Sequence, residues 1–447
     1  MNVGPTEVPG AAGQAAQATR GASAAGVLAR AAYSLLLVLA TPIYLLRLVW
    51  RSRREPLYRH VLGERLGLGR RGEPGRIWIH AVSLGETRAA AALVDELRRQ
   101  RPGMRLLLTH GTATGREAGA TLLQPGDAQL WLPYDTPGAV RRFFAGQQPA
   151  VGVLIETETW PNLLHAARAC GVRVVLANAR LSERSLASAE RLAPLMRPAA
   201  SCIDCALAQT DDDAERLRRA GVRDAAVLGN LKFDMAPAPA LLERGKRWRA
   251  ALARPVVLAA STREGEEAPL AALWRALPAP RPLLLVVPRH PQRFDEVAAT
   301  LRDAGFALER RSAWDDAPAA NAHEADVWLG DSLGEMPLYY ALADVALLGG
   351  SFAPLGGQNL IEAAACGCPM LMGPHTFNFA EAAALALAAG AAERVGDLET
   401  ALRRATTLAA DGAGRRDAMA AAALAFARRH RGAAARTAAA ILERLPA

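Results

Sequence analysis

From residue 76 to its end, the chain alternates short apolar runs with stretches of helical spacing. In the first half the runs fall at 77–81, 105–109, 129–132, 150–155, 172–176 and 225–228. Between them, segments such as 88–99 and 162–170 place apolar residues at helical intervals. Near-continuous apolar strands separated by helices predict a parallel sheet covered on both faces. The pattern breaks at 234–240, where two prolines sit in an Ala-rich run and read as a linker into a basic helix at 241–251. It restarts with runs at 256–260, 283–287, 327–329, 345–348 and 370–372. The Ala-rich end from about residue 413 reads as helix. Two doubly wound halves imply a cleft between them, with ligands at the carboxyl ends of the strands.

The amino-terminal part has a different pattern. Residues 1–25 are rich in Ala and Gly and lack periodicity, which predicts a disordered tail. Residues 31–46 then carry no charge, short of the roughly 20 that span a bilayer. Arg30 and Arg47 could snorkel to extend the segment, and Pro42 is tolerated in a membrane helix. No small-residue cleavage site follows, and the arginines beyond it predict an uncleaved anchor with a cytoplasmic body. The resulting domain plan is a tail at 1–25, an anchor at 26–50, a first Rossmann-like domain at 51–235, a linker at 236–254 and a second such domain at 255–447.

Charge sharpens the membrane reading. Nine arginines face three glutamates between residues 47 and 76, a surplus of six within a net charge of +9. Directly after an apolar segment, such a run suits anionic headgroups. No aromatic-interleaved basic motif or helix-turn-helix signature points to nucleic acid. The five cysteines include a CxxC at 202–205 and a CxC at 366–368, without the further ligands a zinc site needs, and read as buried free thiols.

Candidate chemistry lies just after the predicted strands. Ser83-Leu84-Gly85-Glu86-Thr87 opens a helix, where Glu86 either complements the helix dipole or serves as a base. Glu156-Thr157-Glu158-Thr159-Trp160-Pro161 offers two carboxylates, of which the turn into Pro161 is expected to leave one facing a ligand. Lys232 is one of only two lysines among 53 basic residues and sits at the interdomain break, where a compact point charge is implied. Lys246, in a run of charged residues, reads as a solvated helix face. In the second half, Pro288-Arg289 follows a strand, a position that suits phosphate. Leu333-Gly334-Glu335 follows another, and Gly356-Gly357-Gln358-Asn359-Leu360-Ile361-Glu362 opens a helix whose amino end could meet phosphate while Glu362 holds a ribose. Asp211-Asp212-Asp213 reads as a helix cap, and no loop matches GxGxxG or GxxxxGK[ST].

Taken in order, HAVSLGETRAA, LPYDTPGAVRRF, ETETWPNLL, ANARLSERS, GNLKFD, VPRHPQRF and GGQNLIEAAACGCPMLMGPHTFNF closely resemble the 3-deoxy-D-manno-octulosonic acid (Kdo) transferases of lipid A biosynthesis. The resemblance implies a GT-B fold: two doubly wound Rossmann-like domains facing a cleft, behind an N-terminal membrane anchor. It implies inverting, metal-independent transfer without a cofactor, from CMP-Kdo to the lipid A precursor lipid IVA, at the cytoplasmic side of the inner membrane. The first domain would bind the acceptor and the second the donor. Glu86 matches the family's proton acceptor, and Glu156 and Lys232 match its transition-state stabilisers. Pro288, Arg289, Leu333, Gly334, Glu335, Asn359, Leu360, Ile361 and Glu362 match the CMP-binding segments. Gln358 departs from the family pattern, which often has His there. The rival readings are a GT-B enzyme using a UDP-sugar and a polyprenyl acceptor, and a non-catalytic lipid- or nucleotide-binding protein.

Overall fold

The structure, a computed structural model, describes residues 24–53, 55–411 and 414–446. The tail expected at 1–25 lies outside them up to residue 23, and residues 24 and 25 already belong to a helix. That helix runs Ala24–Arg51, includes Pro42, and at 28 residues is longer than the uncharged stretch alone. It is about 42 Å long at 1.5 Å per residue. By length and composition it could cross a membrane.

Exposure along this helix follows a helical period. Gly26, Arg30, Tyr33, Ser34, Leu37, Thr41, Leu45 and Leu48 are the more covered positions, three or four residues apart. The Tyr33 hydroxyl donates to Asp135 (3.0 Å), and the Asn162 amide donates to Ser34 Oγ (3.0 Å). Tyr44 packs on Tyr134 with ring centroids 5.8 Å apart, and Leu48 packs beside Tyr58 and Trp131. The opposite face is apolar: Leu28, Leu35, Leu36, Leu39, Ile43 and Leu46 are 62–70% exposed. The covered side mixes Gly26, Ser34 and Thr41 with Leu37, Leu45 and Leu48, while the exposed side is almost wholly apolar.

The chain folds into two units, one formed by 1–231 with 433–447 and one by 232–432. The first holds a seven-stranded parallel sheet of β1 (Ile77–His80), β2 (Leu106–His110), β3 (Ala128–Trp131), β4 (Val151–Ile155), β5 (Arg173–Ala179), β6 (Cys205–Ala208) and β7 (Ala225–Val227), in the order β3-β2-β1-β4-β5-β6-β7. The second holds β8 (Val256–Thr262), β9 (Leu283–Pro288), β10 (Leu308–Arg310), β11 (Val327–Leu329), β12 (Val345–Leu348), β13 (Met370–Met372) and β14 (Ala392–Arg394), in the order β10-β11-β9-β8-β12-β13-β14. This is the α/β architecture of two doubly wound units behind an N-terminal apolar helix. Three strands escape the hydrophobic pattern. β10 and β14 are three-residue edge strands carrying charges, and β6 is a four-residue run of small residues.

Each sheet is covered on both faces. In β1, Trp78 enters one core layer while Ile77 and Ile79 enter the other, as a two-residue period requires. Trp78 meets Phe143 and Phe144 edge-on, with centroids 5.2 and 5.7 Å away. Gly152 is needed beside it, because a Cβ there would lie 2.7 Å from the indole. The domain plan changes at two places. The basic helix expected at 241–251 forms as Pro239–Ala251 and belongs to the second unit, so the stretch 236–254 set aside as a linker is part of that unit. The last helix, Ala433–Leu442, returns to the first unit, where Ala434, Ala438 and Ile441 share a core layer with Leu93 and Leu97 of the helix Leu84–Gln100. Its alanine face is what allows this close packing.

Candidate active site

In both sheets the strand order reverses between two neighbours, β1 and β4 in the first unit and β8 and β12 in the second. Loops leaving the carboxyl ends of such neighbours diverge to opposite faces and leave a crevice for ligands. The loop after β1 leads into the helix Leu84–Gln100, whose first turn carries Glu86, and the loop after β4 carries Glu156 and Glu158.

Ser83 caps the helix Leu84–Gln100, its side chain accepting from the Glu86 N–H. The Glu86 carboxylate reaches back, accepting from Val82 N–H (2.7 Å) and Ser83 O–H (2.8 Å). This reciprocal pair is a capping box, so the first-turn reading of Glu86 is structurally realised. It also fixes the orientation of a half-buried carboxylate at the switch point.

Glu156 adopts φ +63°, a left-handed conformation unfavourable for a residue with a side chain. Its N–H still donates to Ala177 (2.9 Å), extending the β4–β5 ladder by one bond. Glu158, two residues on, is the more perturbed carboxyl group. Its pKa is raised to about 7, chiefly by burial and further by the charges of Glu86 and Glu156, against a hydrogen bond from Trp160 Nε1 (2.5 Å). Glu158 thus feels both Glu86 and Glu156. Beside it lies the fully buried His80, with Nε2 4.0 Å from Glu158 Oε2. His80 Nδ1 lies 3.0 Å from the Thr109 carbonyl and 2.9 Å from the Thr109 hydroxyl. Burial holds the His80 pKa down at about 3. The imidazole is therefore neutral and does not cancel the acidic charge.

The second unit is built differently. Pro288 ends β9, and Arg289 follows it exposed, its N–H donating to the Thr262 carbonyl (2.9 Å). Leu333 is 75% exposed, and Gly334 adopts φ +80° with open space where a Cβ would stand. Glu335 is tied down, accepting from Arg311 (3.0 Å) and Ser332 (2.6 Å). Asn359 caps the short helix Leu360–Ala365 by accepting the Ile361 N–H (3.1 Å). Leu360 and Ile361 are buried, so a ligand could meet only their backbone, while Glu362 is half-buried. Gly350, Gly356 and Gly357 all have positive φ, and the Gly350 N–H donates to both oxygens of Glu266 (2.8 Å each). Sequence reading passed over Glu266 and His80. His80 opens the HAVSLGETRAA motif at the end of β1 but was not singled out within it, and Glu266, the cap of the helix Glu267–Ala276, stands in no recognisable motif.

Lys232 belongs to the 3-10 turn Leu231–Asp234, where the second unit begins, and its ammonium lies 5.7 Å from the Phe379 ring centroid. Lys246 is an exposed helix residue paired with Glu243 at 2.8 Å, as its surroundings predicted. The acidic run 211–213 lies in the first turn of its helix, but the cap itself is Thr210. Of the cysteines, Cys205 and Cys368 are buried, Cys202 and Cys366 are half-buried, and Cys170 is exposed, so the buried-thiol reading holds for two of the five.

Comparison with known proteins bears on what these crevices do. Residues 60–235 match the family described as 3-deoxy-D-manno-octulosonic-acid transferase (kdotransferase). The 3-deoxy-D-manno-octulosonic acid transferase of Bordetella pertussis is 54% identical over 371 residues, covering 81% of this chain and 85% of that protein. The chain belongs to the Kdo transferase family. The Haemophilus influenzae Kdo transferase is 36% identical, covering 78% of this chain and 83% of that one. Among solved structures, the UDP-GlcNAc 2-epimerase of Neisseria meningitidis is similar at 15% identity, covering 83% of this chain and 99% of that one, with a TM-score of 0.54. That likeness shows the two-unit fold alone. At the first switch point Glu86 and Glu156 both act on the Glu158 carboxyl group, and residues 288–289, 333–335 and 359–362 lie at or after the ends of β9, β11 and β12 of the second unit.

Proposed function

We propose that this chain is an inverting, metal-independent transferase that moves Kdo from CMP-Kdo to lipid IVA in lipopolysaccharide biosynthesis. It needs no cofactor, and its N-terminal helix and the basic segment 47–76 hold it at the cytoplasmic face of the inner membrane. The supporting observation is the gathering of Glu86, from a helix start after β1, and Glu156, from the loop after β4, around Glu158 in a member of the Kdo transferase family.

An acceptor hydroxyl is a poor nucleophile at neutral pH until a base takes its proton as the new bond forms. Glu86 is that base, its carboxylate oriented by Val82 N–H and Ser83 O–H. As the glycosidic bond to CMP breaks, the anomeric carbon gains positive character and the leaving phosphate gains negative charge. Glu156 stabilises the former, and Lys232 and Arg289 the latter. Pro288, Leu333, Gly334, Glu335, Asn359, Leu360, Ile361 and Glu362 form the CMP site, chiefly through backbone N–H groups and the paired Glu335. A donor screen with the purified chain and lipid IVA tests this reading. Product mass must rise by one or more Kdo units with CMP-Kdo, and turnover with a UDP-sugar but none with CMP-Kdo refutes it.

A further inference from the structure

The first unit contains a groove of about 400 Å³ that the proposed chemistry does not use. Its floor is apolar: Leu181, Met196, Ile203, Leu217 and Val222. Its polar side chains, Arg184 and the hydroxyls of Thr157, Thr159, Ser185 and Ser188, are exposed or half-buried and stand at the mouth. We propose that this groove holds an acyl chain of the glycolipid acceptor, an inference that rests on the acceptor being a lipid.

Three observations converge on that occupant. The groove shares a wall with the carboxylates: Thr157 and Thr159 line it, while Glu156 and Glu158, the alternate residues of the same loop, belong to the acidic cluster. A molecule with a sugar at the carboxylates and a chain in the groove would straddle that one loop. The groove also lies one helix away from the N-terminal helix. The helix Ala193–Ala200, which supplies Met196 and Ala200 to the lining, packs against the helix Ala24–Arg51. Leu192, at its start, is 56% exposed and extends the apolar surface to the rim. Finally, the floor offers no hydrogen-bonding side chain, so a nucleotide or sugar ring placed there would lose its partners to water without replacement. Hydrocarbon loses none. The volume falls within the roughly 300–1,000 Å³ of small-molecule sites, and Arg184 at the rim can meet an anionic headgroup.

The test fills the groove. Ala220→Phe and, separately, Ala189→Phe narrow it from two different helices. With the full chain in detergent, KM for lipid IVA should rise about tenfold while kcat stays within twofold, in line with the cost of a misfit in an apolar pocket. KM for the deacylated disaccharide should not change. An unchanged KM for lipid IVA, or an equal rise for both acceptors, overturns the proposal. A second readout does not depend on transfer: vesicles of phosphatidylethanolamine and phosphatidylglycerol carrying a diazirine-bearing acyl chain are irradiated with the wild-type chain. Crosslinked peptides should fall within 181–222 and vanish in Ala220→Phe, whereas labelling confined to 24–51 overturns the groove. If no acceptor is glycosylated at all, the functional reading fails, while the crosslinking pattern still decides for or against the groove.

Discussion

The two switch points share a topology but treat charge in opposite ways. At the β1/β4 point, Glu86 and Glu156 act on Glu158, and the nearest imidazole, His80, is held neutral by burial. No arginine or lysine shares an ion pair with Glu158 among the described residues. At the β8/β12 point, Glu266 is satisfied by the Gly350 N–H, and nearby Glu335 by Arg311 and Ser332. There, left-handed glycines bring backbone close to where a ligand would lie. One crevice concentrates negative charge, which suits taking a proton, and the other uses its acids as scaffolding and offers N–H groups, which suits an anion. The same fold serves two chemistries because the loops, not the sheets, carry them.

The sharpest way to break this contrast is to remove the base without disturbing its cap. Gln can keep the capping-box contacts to Val82 and Ser83 but cannot take a proton. Glu86→Gln should therefore lower kcat by about 10²–10⁴-fold, with CMP affinity and thermal stability close to wild type. Turnover near wild type would refute the base assignment and leave Glu86 a helix cap. A second cut compares the two lysines. Lys232→Ala should cost roughly a hundredfold in kcat, as loss of a charge-stabilising donor does. Lys246→Ala removes only an exposed pair with Glu243 and should change little. Equal effects would mean that lysine rarity in the sequence misled.

The next effect is smaller and depends on pH. Glu158 has a folded pKa of about 7 against an ordinary 4.5. Between those values the folded chain binds more protons than the unfolded one, so its stability falls as pH rises through this window. The loss is on the order of 2 kcal/mol once partial exposure of the side chain is allowed for. Glu158→Gln should raise the unfolding temperature at pH 8 and leave it unchanged at pH 5. Equal shifts at both pH values would show that the Glu158 carboxyl is not raised in the folded chain.

The alternating pattern made the two sheets legible because eleven of the fourteen strands have enough apolar length to register. β6, β10 and β14 were hidden by small residues or edge charges. The loops after β1 and β4 were legible as motifs, but the convergence of Glu86 and Glu156 on Glu158 depends on strand order, which periodicity does not encode. The left-handed turn at Glu156 leaves no trace in the sequence, since it places a glutamate where glycine is favoured. The last helix was legible as a helix but not as part of the first unit, because an alanine-rich face packs equally well on many partners.

The mildest test probes the backbone character of the second crevice. Asn359 caps a helix of only six residues, and the two residues after it bury their side chains. Its effect on a bound nucleotide must therefore pass through the placement of N–H groups. Loss of such a cap costs about 1 kcal/mol when Ala replaces Asn, and only a few tenths when Gly does. Asn359→Ala should weaken CMP binding about fivefold by calorimetry, and Asn359→Gly should be nearly silent. A direct side-chain contact with CMP would instead make both variants equally weak, because neither restores the amide. That outcome would move the second crevice toward side-chain recognition and narrow its difference from the first.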